Sequence, residues 1–360
     1  MPSASCKIKE NVPLAPCTTL GIGGPARYFT EVGSEHEAAA ALEFAASHDL
    51  AVFILGGGSN VVVSDSGFPG LVVRIALRGI RRLGDGLISI AAGEEWDSFV
   101  GLCVGEGLAG IECLSGIPGT VGGTPVQNVG AYGQEVAEVI ESVRALDRAT
   151  LQAVEISNEE CAFSYRQSRF SPPGQERHLI LSVRFRLRPG GAPRLAYPDL
   201  QRQFAEFPGS PGLHEVREAV LQIRQSKAML LRPGDPDARS AGSFFRNPMV
   251  SPDRAREVEA AARARVRSDS GAALPTYAMP DGRRKLPAAR LIELAGFPRG
   301  FRRGRVGLSS KHTLALINCG DATAEELLGL MREIQSAVRE IFGVELVPEP
   351  VFLGFPESPS

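Results

Sequence analysis

The sequence predicts an α+β protein of two or three domains, and three observations lead to that class. The chain has 360 residues, against roughly 150 residues for a typical domain. Short apolar runs of strand length alternate with capped, helix-periodic segments. Two glycine-rich stretches, 56–60 and 116–133, interrupt this alternation and read as backbone cradles in one α+β region.

The elements follow in order. The stretch 21–26, Gly-Ile-Gly-Gly-Pro-Ala, fits a dinucleotide fingerprint in letters only, because no buried strand precedes it and no helical pattern opens at its glycines. A Rossmann reading is rejected there. Ser34 and Glu37 form a capping box that opens a helix through Glu-Ala-Ala-Ala-Ala. Residues 52–55 and 61–63 read as strands flanking Gly56-Gly57-Gly58-Ser59-Asn60, which offers backbone N–H groups and two small polar side chains to a phosphate. A tight hairpin is the plainer reading of that strand–turn–strand.

Further strands are predicted at 71–75, 87–91, 143–146 and 178–187, and a helix at 96–105 with Trp96 packed inward. Between the later strands lies Phe163-Ser-Tyr165-Arg166-Gln-Ser168, aromatic and basic, with a strand edge as its plain reading. After Leu187 a proline and glycine connection leads to a helix over 213–225 that runs into Lys227. Ser240-Ala-Gly-Ser243-Phe-Phe sets small residues before a serine, without the G-x-S-x-G context of a hydrolase nucleophile. A short helix at 287–295 and a strand at 313–318 follow. A capping box at Thr323 and Glu326 then opens a long helix whose apolar stripe is Leu327, Met331, Ile334, Val338 and Ile341. Glu349 lies between two prolines, which hold it in extended backbone.

The stretch 116–133 has six glycines and two prolines among eighteen residues, and only Gln127, Asn128 and Tyr132 carry sizeable polar groups. Glycine raises the entropic cost of a regular element and proline removes backbone donors. The stretch is also too apolar for an ordinary solvated loop. It reads as a loop wrapping a large phosphorylated ligand, or else as a turn-rich connection.

Bulk composition narrows the classes. A hydrophobic fraction of 43% and a charged fraction of 22% are ordinary for a globular chain with substantial cores. A net charge of -2 gives no footprint for nucleic acid or an anionic membrane. Six cysteines without C-x-x-C spacing and five scattered histidines give neither a disulfide framework nor a metal cluster. No signal peptide or membrane-length apolar run is visible, so a reduced cytoplasmic chain is expected.

Taken together, the motifs resemble the UDP-N-acetylenolpyruvoylglucosamine reductase family. The matching pieces are Leu20-Gly-Ile-Gly-Gly-Pro-Ala26, Leu55-Gly-Gly-Gly-Ser-Asn60, the stretch 116–133, Tyr165-Arg166-Gln-Ser168, Ala241-Gly-Ser-Phe-Phe-Arg-Asn-Pro248 and Pro348-Glu349. They occur in family order. The resemblance implies an FAD-binding fold of the vanillyl-alcohol-oxidase type in two subdomains, 1–80 and 81–226, with the segment 343–360 returning to the first. A C-terminal α+β substrate domain would span 227–342.

The implied reaction is NADPH-dependent, FAD-mediated reduction of UDP-N-acetylglucosamine enolpyruvate to UDP-N-acetylmuramate. The resemblance makes Arg166, Ser243 and Glu349 catalytic. Arg166 would meet the substrate carboxylate, Ser243 would deliver a proton, and Glu349 would polarise the carboxylate as a protonated donor. Flavin contacts would come from Gly56, Gly57, Gly58, Ser59, Asn60, Ser115, Pro118, Gly119, Thr120, Gly122, Gly130 and Ala131, with FAD held non-covalently. Tyr197, Lys227, Asn247 and His312 would bind the UDP-sugar, and Tyr197 indicates the subclass with a substrate-covering loop. A monomer without metal, membrane or nucleic-acid partner is expected. Two rival readings share the cradles: another flavin oxidoreductase on this scaffold, and a non-catalytic nucleotide-sugar binding protein.

Overall fold

The computed structural model describes residues 6–171, 177–232, 234–265 and 274–356. The chain forms two units: one from Met1–Val12, Ala26–Gly58 and Phe68–Leu230, the other from Pro13–Pro25, Ser59–Gly67 and Leu231–Ser360.

In the first unit, β-rich runs build a four-stranded and a five-stranded sheet. Strands Pro25–Val32 and Val52–Leu55 lie parallel to Phe68–Ile75 on either side, and Lys9–Pro13 completes a four-stranded sheet. Helix α1 (Glu35–Ser47) buries Ala38, Ala41, Leu42 and Ala45. Its expected capping box is shifted: Ser34 Oγ accepts from the Glu37 N–H at 3.2 Å, but Glu37 Oε2 reaches past Ser34 to the Gly33 N–H at 2.7 Å.

The second sheet of this unit is antiparallel, in the order Ala153–Ser157, Ile140–Asp147, His178–Arg186, Leu87–Ala91 and Ile80–Gly84. Helix α2 (Trp96–Gly105) packs Trp96 and Phe99 against Phe185, with ring centroids 5.3–5.9 Å apart. Trp96 is fully buried, and its indole N–H is satisfied by the Leu114 carbonyl at 3.0 Å, so the ring serves the core as expected. Helices α3 (Pro198–Gln203) and α4 (Leu213–Ser226) complete the unit. With Cys113 and Tyr132 they form a small separate cluster through Leu200, Val216, Ala219 and Val220.

The second unit holds α5 (Pro252–Arg265), α6 (Ala288–Leu294) and α7 (Ala324–Phe342) around the antiparallel sheet Arg302–Arg303, Val306–Leu308, Leu316–Asn318. The stripe on α7 is buried at Leu327, Met331, Ile334 and Val338, while Ile341 is only partly covered. The strand expected at 313–318 shrinks to Leu316–Asn318, because Ala315 N–H turns back to the His312 carbonyl.

Two plain readings are corrected. The strands around the glycine turn do not form a hairpin: Val52–Leu55 joins Phe68–Ile75 in the first unit, while Val61–Val63 pairs in parallel with Val351–Leu353 in the second. The 163–170 stretch is a tight turn, closed by reciprocal Ser164 and Gln167 backbone hydrogen bonds at 3.0 and 3.2 Å, not a strand edge.

Candidate functional site

In the first unit, the glycine cradle is built by close backbone approach. A Cβ on Gly57 would lie 2.7 Å from Gly119 Cα and 3.1 Å from its carbonyl carbon, so only glycine fits there. A Cβ on Gly56 would meet Thr120 Oγ1 at 2.9 Å, and on Gly122 it would meet Ala92 Cβ at 2.6 Å. Thr120 Oγ1 is buried and, among the described residues, has no hydrogen-bond partner. A buried hydroxyl left open in a glycine-lined cradle suits a group that brings its own polar atoms. The residues present therefore fit a phosphate-bearing cofactor. Ser115 takes a different part: its hydroxyl donates to the Glu112 carbonyl at 2.7 Å and it is fully buried, so it shapes the approach to the loop.

The wrapping loop contains only short 3-10 turns and a two-residue ladder between Gly130–Ala131 and Gln134–Glu135. Its base is fixed by Asp97 on α2, which accepts from the Gly116 N–H at 2.6 Å and from both ends of Arg217 at 2.6 and 2.9 Å. Burial pushes the Asp97 carboxyl up, but Arg217 and the Gly116 amide outweigh it and hold the group below its ordinary value.

Arg166 is brought onto this loop by three hydrogen bonds. Arg166 Nη1 donates to the Gly130 carbonyl at 3.1 Å, Ser168 Oγ to the Val126 carbonyl at 2.8 Å, and Asn128 Nδ2 to the Ser164 carbonyl at 3.1 Å. Arg166 itself sits at φ +57°, in the left-handed region. Asn128 also donates to Glu135 and accepts from the Ala137 N–H, so it pins both sides of the loop.

Tyr197 and Lys227 also meet in this unit. The rings of Tyr132 and Tyr197 pack edge to face at 5.3 Å, and Lys227 Nζ lies 5.9 Å from the Tyr132 ring centroid. Burial raises the Tyr132 phenol to about 12. Lys227 Nζ pairs with Asp199 Oδ2 at 2.8 Å, and Arg202 bonds the other carboxylate oxygen.

In the second unit, Ser243 and Glu349 are neighbours through backbone. Glu349 N–H donates to the Phe244 carbonyl at 2.9 Å, and Arg246 N–H to the Val347 carbonyl at 2.9 Å, so 244–246 lies antiparallel to 347–349. Phe244 and Phe245 are 0% and 1% exposed and anchor this segment, while half-buried Ser243 stands just before them. Asn60 holds the other side: its carbonyl accepts from Val351 N–H at 2.9 Å and its Nδ2 donates to the Glu349 carbonyl at 3.4 Å. Asn247 Oδ1 accepts from Ala288 N–H at 3.0 Å at the start of α6. His312 follows a loop organised by Asp237, whose Oδ2 accepts from Ser309 Oγ, Ser310 N–H and Ser310 Oγ at 2.7–2.9 Å.

Three positioning residues were not singled out by sequence reasoning, Asp97, Asp199 and Asp237, and Asn128 was noted there only as a polar group of the wrapping loop. Asp97 and Asp237 lie outside every motif quoted above. Asp199 stood in view two residues after Tyr197, in a helix that begins at Pro198. Among the described residues no group of three or more His, Cys, Asp and Glu side chains could hold a metal.

Known proteins are similar to this chain over most of its length. Residues 26–156 match an FAD binding domain, and residues 235–353 match the family described as UDP-N-acetylenolpyruvoylglucosamine reductase, C-terminal domain. The UDP-N-acetylenolpyruvoylglucosamine reductase of Thermobifida fusca is 46% identical over 96% of this chain and 98% of its own. That of Saccharopolyspora erythraea is 48% identical over 94% of each. The crystal structure of the Thermus caldophilus reductase superposes with a TM-score of 0.65 at 25% identity, over 97% of this chain and 99% of that one. The expected FAD-binding α+β fold therefore holds, and identity of this level over nearly the whole length shows that the chain belongs to the UDP-N-acetylenolpyruvoylglucosamine reductase family.

Proposed function

We propose that this protein reduces UDP-N-acetylglucosamine enolpyruvate to UDP-N-acetylmuramate in peptidoglycan precursor synthesis, with NADPH as reductant and FAD as cofactor. The observation that carries the reading is the hydrogen-bonded seating of Arg166 on the glycine loop, in a chain whose relatives carry that reductase name.

Bound FAD supplies the hydride chemistry. Gly56, Gly57 and Gly58 with Pro118, Gly119, Thr120, Gly122, Gly130 and Ala131 would hold it, joined by Ser59 and Asn60, while Ser115 shapes the approach to the loop from within the core. This chain's own residues carry the rest. Arg166 is a permanent cation in a fixed orientation, suited to a substrate carboxylate on which charge grows during reduction. Ser243 delivers a proton to the carbon bearing the ether oxygen; a hydroxyl does this only to a strongly basic, enolate-like centre. Glu349, set in extended backbone beside Phe244, polarises the same carboxylate. Tyr197, Lys227, Asn247 and His312 take the UDP-sugar.

The finer features are part of the same proposal. The protein works as a cytoplasmic monomer without membrane or nucleic-acid partners. Its first unit divides near residue 80, where the four-stranded sheet gives way to the five-stranded one. The substrate domain runs from 227 to 342, and the C-terminal segment meets the 1–80 stretch at Val61–Val63, which lies with it in the second unit.

The test is anaerobic reduction of the flavin-loaded protein with NADPH, followed by addition of the enolpyruvyl substrate while flavin absorbance is recorded. Rapid reoxidation with UDP-N-acetylmuramate as product is expected, and Ser243→Ala should slow it by about 10²–10⁴-fold. Reduced flavin indifferent to that substrate would refute the reading.

A further inference from the structure

We propose that Asp199 is a positioning residue for substrate capture, holding the Lys227 ammonium in the free enzyme and yielding it to a nucleoside diphosphate. The inference rests on the reading above that Lys227 meets the substrate's diphosphate.

Lys227 is the C-cap of α4, and Asp199 lies in the first turn of α3, directly after Tyr197 and Pro198. Their 2.8 Å bond therefore ties the end of one helix to the segment that carries Tyr197. The pair is only partly wet, with side chains 34% and 21% exposed. Burial pushes the Asp199 carboxyl up, but Lys227 and Arg202 outweigh it and hold the group below its ordinary value, so it is ionised at neutral pH. The edge-to-face packing of Tyr132 on Tyr197, with Lys227 beside the Tyr132 ring, makes ammonium, carboxylate and both phenols one cluster.

Asp199 offers Lys227 one negative charge, whereas a diphosphate offers two or more at similar distance and draws the ammonium away. Arg202 lets this happen cheaply. It already bonds the second carboxylate oxygen, so Asp199 is not left as an unpaired buried charge when Lys227 departs. Uridine, with no phosphate, offers Lys227 nothing and leaves the pair closed. Asp199 thus sets a threshold that only the phosphorylated ligand crosses, while α3 stays packed on α4 through Leu200, Val216, Ala219 and Val220.

The experiment is isothermal titration of the FAD-loaded full chain with UDP and with uridine. Asp199→Asn removes the competing charge in nearly the same shape, and UDP should bind about 2- to 5-fold more tightly while uridine is unchanged. In a Lys227→Ala background the same Asn substitution should change UDP affinity less than about 1.5-fold, because a residue acting only through Lys227 has nothing left to act on. Arg202→Ala, on a side chain 77% exposed, leaves Asp199 to Lys227 alone and should weaken UDP binding about two-fold, which decides the matter even if the Asn variant folds poorly. UDP binding no tighter in Asp199→Asn, or shifted alongside uridine, or still shifted without Lys227, overturns the proposal while the reductase reading stands. If Lys227→Ala leaves UDP affinity untouched, the diphosphate role of Lys227 falls and the proposal falls with it.

Discussion

Arg166 shows how a functional side chain is fixed one residue at a time. A left-handed backbone angle costs a non-glycine residue about 1 kcal/mol, and here the turn is held by bonds from Arg166 and Ser168 to the Gly130 and Val126 carbonyls and by one from Asn128 to the Ser164 carbonyl. The residue type was legible in the sequence, but its strain was not, because it depends on a partner loop 36 positions away. The glycines of the cradle behave similarly. Their number signalled a close approach, yet which of them is indispensable depends on what a Cβ would strike. Gly57→Ala drives a methyl into the Gly119 backbone, whereas Gly56→Ala meets a single side-chain oxygen, Thr120 Oγ1, which only a change of the Thr120 χ1 angle would move. Gly57→Ala is therefore expected to cost about 1–3 kcal/mol of stability and to strip most FAD on purification. Gly56→Ala should retain more. Flavin-to-protein absorbance ratios and thermal melts of the two variants check the order, and equal retention would contradict it.

At the scale of elements, a cap and an apolar stripe together give the clearest helix signal. Helix α7 has both, and its capping box forms as expected, with Thr323 Oγ1 accepting from Glu326 N–H at 3.2 Å and Glu326 Oε2 from Thr323 N–H at 2.9 Å. Helix α5 was missed because it buries only Ala255, Val258 and Ala262, too small an apolar face to raise a periodic signal among arginines and glutamates. Helix α3 was hidden inside a stretch that read as a proline connection. The sequence also could not show that α7 has a second cap. Asp65, between the two glycine-rich regions, accepts from the Ala324 and Glu325 N–H groups at 2.8 and 3.0 Å, so three first-turn donors are satisfied. Its negative charge also sits at the positive end of the helix dipole. Asp65→Ala should therefore destabilise the second unit by about 1–2 kcal/mol, at least as much as Thr323→Ala. Urea denaturation followed by far-ultraviolet circular dichroism measures both, and an Asp65 variant as stable as the parent would remove the second cap from the account.

Over the whole molecule, titration behaviour follows from which groups the cores enclose. The six cysteines gave no disulfide spacing, and all six are free thiols in the structure. Cys103, Cys113 and Cys161 are completely buried in the first unit. Burial pushes Cys103 and Cys161 up to about 12 and Cys113 higher still, and it raises Tyr132 to about 12. Each of these groups is neutral when folded and ionises more readily when unfolded. Their contribution to stability is therefore complete below the unfolded values, about 8.5 for a thiol and 10 for a phenol, and is lost as pH rises towards 12. The sign is opposite for Asp97 and Asp199, whose lowered values give stability that is present at neutral pH and lost as acid protonates them. Trp96 is the sequence's single tryptophan and lies in the core of the first unit, so its fluorescence reports unfolding of that unit alone. Melts followed by Trp96 should be nearly flat in Tm from pH 7 to about 8.5 and fall steadily from pH 9 to 11. Cys103→Ala would lower Tm at pH 7 through the cavity it leaves, but the further fall between pH 7 and pH 11 should be smaller than in the parent, because one ionising group has gone from the unfolded chain. An alkaline fall of unchanged size in that variant would mean that the buried Cys103 thiol does not set it.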